Sequence, residues 1–312
     1  MFCKYAYNAG ITQAQLLSDI VAILTGETTV SNLGAGCDQA NTTISTARAV
    51  AGWTVHDSSG GTNVQVIKAA CNGDAAQYKY VEINTNTAGE VICGLWESWD
   101  AGTNAGTNLA NLSKTSSQSQ RYSTTLAGTL YISASQHRIA IYGAYTAVTG
   151  NSANGAATFI LEADRGFTWC AVGQGFTPVT FLHTSGQLGS SPRAISCANT
   201  VVTTTSAQVQ ILTMADCMSG ATNIAFTTSS PNGVPMSGGV YGLPLLPFMG
   251  SPGSTTQSTR TAFSGFSISD TYVVPGGFSS SLDETAYDGD TFIVFPVSSA
   301  SNGYQKLAVP KG

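Results

Sequence analysis

Apolar and polar positions alternate most clearly between residues 78 and 145. The runs there are rich in Val, Ile, Tyr and Trp and are separated by Gly, Asn and Ser; they are 78–83, 91–100, 129–134 and 138–142. Short runs of this composition are typical of consecutive antiparallel strands. We therefore predict that the stretch forms one β-meander.

A helical period occurs only near the N-terminus, in residues 11–26. Its broad apolar face consists of Leu16, Leu17, Ile20, Val21, Ile23 and Leu24. Thr12 can cap the start, with Gln15 closing a capping box, and Gly26 is a suitable C-terminal cap. A helix of about 13 residues is marginal alone in water. We expect it to dock on its own sheet, or alternatively on a partner subunit.

Further strand patterns follow along the chain, at 49–56, 62–71, 158–162, 169–172, 176–183 and 199–214, with a terminal hairpin in 288–312. Two stretches break the pattern. Residues 101–123 are rich in Gly, Asn, Thr and Ser and predict a long surface loop. Residues 226–266 hold many prolines and glycines and predict an extended excursion rather than packed sheet.

These patterns predict a mainly β protein. We expect antiparallel β-sandwich or barrel-like domains with one N-terminal α-helix. The predicted division is an N-terminal helical arm at 1–30, a β domain at 31–190 and a second β domain at 191–312 with the excursion near 226–266.

The amino-acid composition indicates a surface that is poor in charge. Only 9% of the residues are charged, where soluble domains have about a quarter. Lys and Glu are depleted at protein interfaces, so a chain this poor in charge is expected to bury much of its exterior against other copies or other proteins. A net charge of −5 without a basic run argues against nucleic acid.

Targeting signals are also missing from the pattern. No apolar run approaches the length of a membrane span, so no membrane partner is expected. The first five residues lack a basic-then-apolar signal peptide, which predicts synthesis in a cytoplasm. The seven cysteines form no Cys-x-x-Cys or Cys/His cluster, so no metal or cofactor is predicted. Buried free thiols are favoured, with disulfides within or between subunits as the alternative.

Candidate chemistry is sparse. The three histidines, His56, His137 and His183, have no nucleophile motif around them, and His56 and Asp57, adjacent on a strand, should face opposite ways. Glu97 and Asp100 lie beside two tryptophans in the sequence, and this combination of carboxylates and aromatic rings is similar to that of a sugar-binding site. No catalytic residue is predicted from this pattern.

The same alternation should place the two tryptophans on opposite faces, one in the core and one at a surface. Their candidate role is contact with a protein or a glycan. The candidate contact residues are Trp96, Trp99, Leu109, Leu112, Leu245 and Phe248.

Several short segments together carry a family resemblance. They are 4–7, 24–26, 37–41, 51–57, 79–80, 97–100, 128–132 and 307–312. In these segments, which run through most of residues 1–145 and the last 25, the chain resembles uncharacterised virion structural proteins of tailed bacteriophages. The resemblance implies a place in a virion, in the tail, baseplate or neck, and no reaction. A capsid decoration or collar protein, and a receptor- or glycan-binding adhesin, are the alternatives.

Overall fold

The structure is a computed structural model, and it describes residues 1–26, 33–44, 51–71, 74–85, 90–111, 122–145, 155–162, 168–174, 193–196, 208–213, 234–236, 240–250, 260–263, 270–275, 282–296 and 305–311. This part of the chain is mainly antiparallel β-sheet with one α-helix near the N-terminus, which confirms the predicted fold class.

The first half contains β1 (Phe2–Tyr7), α1 (Gln13–Thr25), β2 (Thr43–Ile44), β3 (Thr54–Asp57), β4 (Val64–Cys71), β5 (Asp74–Thr85), β6 (Glu90–Asp100), β7 (Ala105–Asn111), β8 (Tyr122–Ser123), β9 (Gly128–Ser135) and β10 (Arg138–Tyr145). The second half contains β11 (Gly155–Glu162), β12 (Thr168–Gln174), β13 (Arg193–Ser196), β14 (Gln208–Thr213), β15 (Val234–Met236), β16 (Val240–Gly250), β17 (Arg260–Phe263), β18 (Tyr272–Pro275), β19 (Glu284–Tyr287), β20 (Asp290–Pro296) and β21 (Gln305–Pro310).

These strands form three sheets. The seven-stranded sheet has the order β13-β12-β11-β10-β9-β1-β2. The six-stranded sheet has the order β3-β4-β5-β6-β7, with β8 also paired to β6. The C-terminal sheet runs β14-β16-β18-β21-β20-β19, with β15 and β17 paired to β16.

The main core lies between the seven-stranded and six-stranded sheets. Register aligns Cys3, Ile132 and Ile141 across β1, β9 and β10, and all three side chains are buried. Val81 and Leu95, which pair across β5 and β6, belong to the same apolar cluster. In these five strands, one alternate face therefore contributes to a shared interior.

The opposite face of the seven-stranded sheet meets the C-terminal sheet. The rings of Tyr142 and Phe295 lie 6.0 Å apart. The Ser133 hydroxyl donates to the Pro310 carbonyl at 2.5 Å, and Arg138 forms an ion pair with Asp270. β9 and β10 are consequently covered on both faces.

Helix α1 packs on its own chain, as expected. Thr12 caps it by accepting from the Gln15 backbone N–H at 3.1 Å, and Gly26 ends it with φ of 130°. The predicted capping box is not completed, because the Gln15 side chain donates to Asp19 at 2.7 Å. Asp19 also accepts from the Tyr5 hydroxyl at 2.5 Å, which ties the helix to β1.

The predicted single meander is wrong. β5 pairs with β6 and β9 pairs with β10, but β6 and β9 belong to different sheets. The cause lies in residues 101–123, which were predicted to be a loop. They contain β7 and β8, and both strands pair with β6. Residues 112–121 lie outside the described residues.

The predicted excursion at 226–266 is also wrong in its described part, which contains β15, β16 and β17. Pro244 and Pro247 lie within β16, opposite Tyr272 of β18 and Ile211 of β14. Each proline removes only one donor, so a long strand with several partners keeps the rest of its ladder.

The terminal hairpin is confirmed, since β20 pairs with β21. The predicted helical arm begins with a strand, β1, which the sequence pattern did not reveal. The first sheet extends to β13, beyond the predicted boundary at residue 190. The division into domains stays a prediction, and the strand predicted at 176–183 lies outside the described residues.

Truncating the helix face tests its docking. Leu16 is fully buried, so Leu16→Ala should lower the free energy of unfolding by about 2–5 kcal/mol through the cavity it leaves. Urea unfolding followed by circular dichroism measures the change. Ser18→Ala, at an exposed position of the same helix, is the matched control and should change stability by no more than about 0.5 kcal/mol. Equal effects of the two variants would contradict the docking.

Candidate functional site

The two tryptophans singled out from the sequence lie together. The Trp96 and Trp99 rings are 5.6 Å apart in an edge-to-face arrangement, so the prediction that they face opposite ways is wrong. Trp96 is half-buried and Trp99 is buried. Strands twist and coil along their length, which can bring side chains from alternate positions together. β3 lies against the end of β6, where His56 Nε2 is 3.5 Å from the Trp99 carbonyl oxygen.

Each indole donates to a buried carboxylate. Trp96 Nε1 donates to Glu82 Oε2 at 2.7 Å, and Trp99 Nε1 donates to Asp57 Oδ2 at 2.7 Å. Only 2% of Glu82 and 7% of Asp57 is exposed. The acids beside these rings are therefore Asp57 and Glu82, whereas the sequence pattern pointed to neighbours in the same strand. We call these four residues the indole–carboxylate cluster.

Strand register explains how the cluster forms. Val66 pairs with Glu82, and Glu82 pairs with Gly94, two residues before Trp96 on the same face. In β3 the register shifts between Val55 and Asp57, so that Asp57 lies opposite Val66. A β-bulge of this kind re-aims a side chain. Here it brings Asp57 to the face that carries Glu82 and Trp96.

Electrostatics in the cluster favour ionised Asp57. Burial raises the pKa of Asp57, but hydrogen bonds from Ser59 and Trp99 outweigh burial and leave the pKa below its usual value. Ser59 donates to Asp57 through both its backbone N–H, at 2.8 Å, and its hydroxyl, at 2.6 Å. Glu82 also accepts from Asn84 at 2.8 Å. Both carboxylates are used to hold neighbouring groups in place.

An aromatic surface lies beside the cluster. Tyr78 and Tyr80 lie on one face of β5 with their rings 6.5 Å apart, and the His56 ring lies 4.9 Å from that of Tyr80. Lys68 Nζ lies 4.6 Å from the centre of the Tyr78 ring. Tyr78 is 36% exposed. The arrangement can stack against a ring or a partner side chain.

A second polar cluster lies where the six-stranded sheet meets the seven-stranded sheet. Lys79 Nζ is 3.0 Å from Glu162 Oε2, and His137 Nδ1 is 2.6 Å from the same oxygen. Lys79 and Glu162 are each 1% exposed, and the His137 side chain is 40% exposed. We call these three residues the lysine–glutamate–histidine cluster.

The surroundings of this cluster fix the lysine. Lys79 Nζ donates to the Ala70 carbonyl at 2.8 Å and lies 5.5 Å from the centre of the Trp53 ring. Trp53 donates to the Ser135 carbonyl at 2.9 Å. A buried lysine held by a carboxylate, a carbonyl and a ring has a defined position, because each contact restricts its long side chain.

The remaining sequence candidates lie in two sheets. Leu109 of β7 pairs with Trp96 across β6 and β7, whereas Leu245 and Phe248 lie in β16 of the C-terminal sheet. Leu112 and His183 lie outside the described residues. The role of these residues in protein or glycan contact stays a prediction.

Sequence reasoning missed Lys79, Glu82 and Glu162. A signal was present, because each is a charge within a strand run rich in Tyr, Val, Ile, Leu or Phe, in a chain that is only 9% charged. A charge at such a position is expected to be paired when buried.

Within the described ranges, no group of three or more His, Cys, Asp or Glu side chains is arranged to hold a metal ion. Cys3, Cys37 and Cys93 are free thiols, and burial raises the pKa of Cys93 to about 12. Among the residues with a described structure, no helix has the length and apolar character needed to cross a membrane.

Comparison with known proteins adds no relative. No family model matches the chain, and no curated protein matches it significantly.

The indole–carboxylate cluster predicts a pH dependence. Because the folded-state pKa of Asp57 is lowered, its contribution to stability is complete above the unfolded-state pKa of about 4 and is lost as the pH falls through the folded-state value. Asp57→Asn should therefore unfold at lower urea than wild type at pH 7, and the difference should shrink below about pH 4.

The matched control is Asp100→Asn, which changes an exposed carboxylate at the end of β6. It should alter stability by no more than about 0.5 kcal/mol at pH 7. A difference between wild type and Asp57→Asn that stays constant from pH 7 to pH 2 would contradict the assignment.

Proposed function

We propose that this chain is a non-enzymatic structural component of a tailed-bacteriophage virion. Its place in the particle is the tail, baseplate or neck, and it acts through assembly contacts with copies of itself and with other virion proteins. A capsid decoration or collar protein is the alternative within the same class. The proposal builds on the family resemblance of the sequence and on the way the described residues use their charges.

The use of buried acids carries the proposal. In the described part of the chain the buried acids are Asp19, Asp57, Glu82 and Glu162. Each accepts hydrogen bonds from groups of the fold, such as the Tyr5 hydroxyl and the Trp96 and Trp99 indoles. A general acid or base must instead reach the proton of a substrate. These acids support a structural role.

The low charge content of the chain also supports a role in assembly. Only 9% of the residues are charged, and some of these charges are buried in the described part of the chain, so few charges remain for the exterior. Surfaces depleted in Lys, Glu and Asp resemble the buried part of protein interfaces. Repeated contact with neighbouring subunits is the function that such an exterior suits best.

One observation favours a second function, glycan binding by a receptor-binding module. Tyr78 is exposed beside Tyr80, and Lys68 stacks over its ring. Exposed aromatic rings flanked by hydrogen-bonding groups can stack on the apolar face of a sugar. The two functions differ in what this surface contacts, and one pair of measurements separates them.

Sedimentation velocity and a glycan array on the purified full chain test the proposal. We expect self-association at micromolar concentration and no glycan signal above background. A monomer that binds glycan, with binding lost in Tyr78→Ala but kept in Ser58→Ala, would favour the adhesin function instead. Ser58 is exposed and lies just beyond β3, so this variant controls for changes at a nearby surface.

A further inference from the structure

The lysine–glutamate–histidine cluster has a geometry that the structural role does not require. One carboxylate oxygen, Glu162 Oε2, is contacted by both Lys79 Nζ, at 3.0 Å, and His137 Nδ1, at 2.6 Å. An ion pair alone would be satisfied by the lysine. The histidine adds a group that can transfer a proton to the same oxygen.

We propose that Lys79 and Glu162 condense into an intramolecular isopeptide bond, with His137 as the proton-transfer residue. The bond would join β5 of the six-stranded sheet to β11 of the seven-stranded sheet, across 83 positions of sequence. It would convert a contact between two sheets into a covalent link.

Burial supplies the driving force. Lys79 and Glu162 are each 1% exposed, and burying an ion pair carries a desolvation cost that its attraction offsets only in part. Forming an amide removes both charges. In a low-dielectric interior, transfer of the ammonium proton to the carboxylate also produces the neutral amine, which is the nucleophilic form.

The reaction balances without a further reactant. The Lys79 ammonium gives one proton to Oε2 of the Glu162 carboxylate, and the lone pair of Nζ then attacks Cδ to form the C–N bond. His137 transfers a second proton through Nδ1 to Oε2, the Cδ–Oε2 bond breaks, and that oxygen leaves as water. The imidazole regains a proton from the new amide nitrogen. The products are one secondary amide and one water molecule.

The groups around Lys79 hold its amine in place for attack on the Glu162 carboxyl group. The Ala70 carbonyl accepts from Nζ at 2.8 Å, and the Trp53 ring lies 5.5 Å away. These contacts hold the amine beside the carboxyl group, and such positioning replaces the entropy that an intermolecular condensation would lose. His137 is 40% exposed, so it can exchange protons with solvent.

Intact-mass measurement of the purified full chain, reduced and denatured, tests the bond. We expect the wild-type mass to be lower than the sequence mass by one water, and proteolysis to give a branched peptide that joins Lys79 to Glu162. Lys79→Arg and Glu162→Ala should have their full sequence masses. Lys68→Arg changes a lysine of β4 outside the cluster and should keep the loss of water.

The role of His137 has a separate readout. His137→Ala should slow bond formation by about 10²- to 10⁴-fold, so that the fresh preparation consists mainly of unlinked chain, and added imidazole should accelerate linkage. A wild-type chain with the full sequence mass and no branched peptide overturns the proposal, whether or not any variant folds. Linkage in His137→Ala at the wild-type rate overturns the role of the histidine.

Discussion

The pairing of buried charge is the constraint on which the layers of this protein depend. A buried ion without a partner is costly, and this chain places its interior charges where one element meets another. Asp19 joins α1 to β1 through Tyr5. Lys79 and Glu162 join the six-stranded sheet to the seven-stranded sheet. Arg138 and Asp270 connect the other face of the seven-stranded sheet to the segment that enters the C-terminal sheet. These pairs tie neighbouring elements together at defined points.

Charge used in this way is not available at the surface. The chain has only 12 basic and 17 acidic residues, and those inside are bound to indoles, hydroxyls and each other. Few charges are therefore left for the exterior, and a surface poor in charge suits contact with neighbouring subunits. In the indole–carboxylate cluster, Asp57 and Glu82 each accept a hydrogen bond from one indole and so orient the two rings.

Local pattern was enough to predict much of the fold. The helix, its caps at Thr12 and Gly26, and the strands around residues 78–83 and 138–142 follow from periodicity and turn residues. β1 was missed because its apolar residues are buried on both faces, which removes alternation. Sheet membership was missed because β7 consists largely of Gly, Asn and Ala, residues that are depleted in strands.

The candidate sites were less predictable, because they depend on contacts between distant strands. Alternation correctly describes the faces of a flat strand, but the coiled end of β6 brings Trp99 to Trp96. The bulge before Asp57 likewise has no single-residue signature. Lys79, Glu162 and His137 come from three separate segments, and only the stacking of two sheets brings them together.

The proposed role as a building block of a virion can be tested by cryo-electron microscopy of the intact particle at side-chain resolution. We expect density for this chain in repeated, symmetry-related copies in the tail, baseplate or neck, with surfaces poor in charge against neighbouring subunits. A well-resolved particle in which all density belongs to other proteins would contradict it.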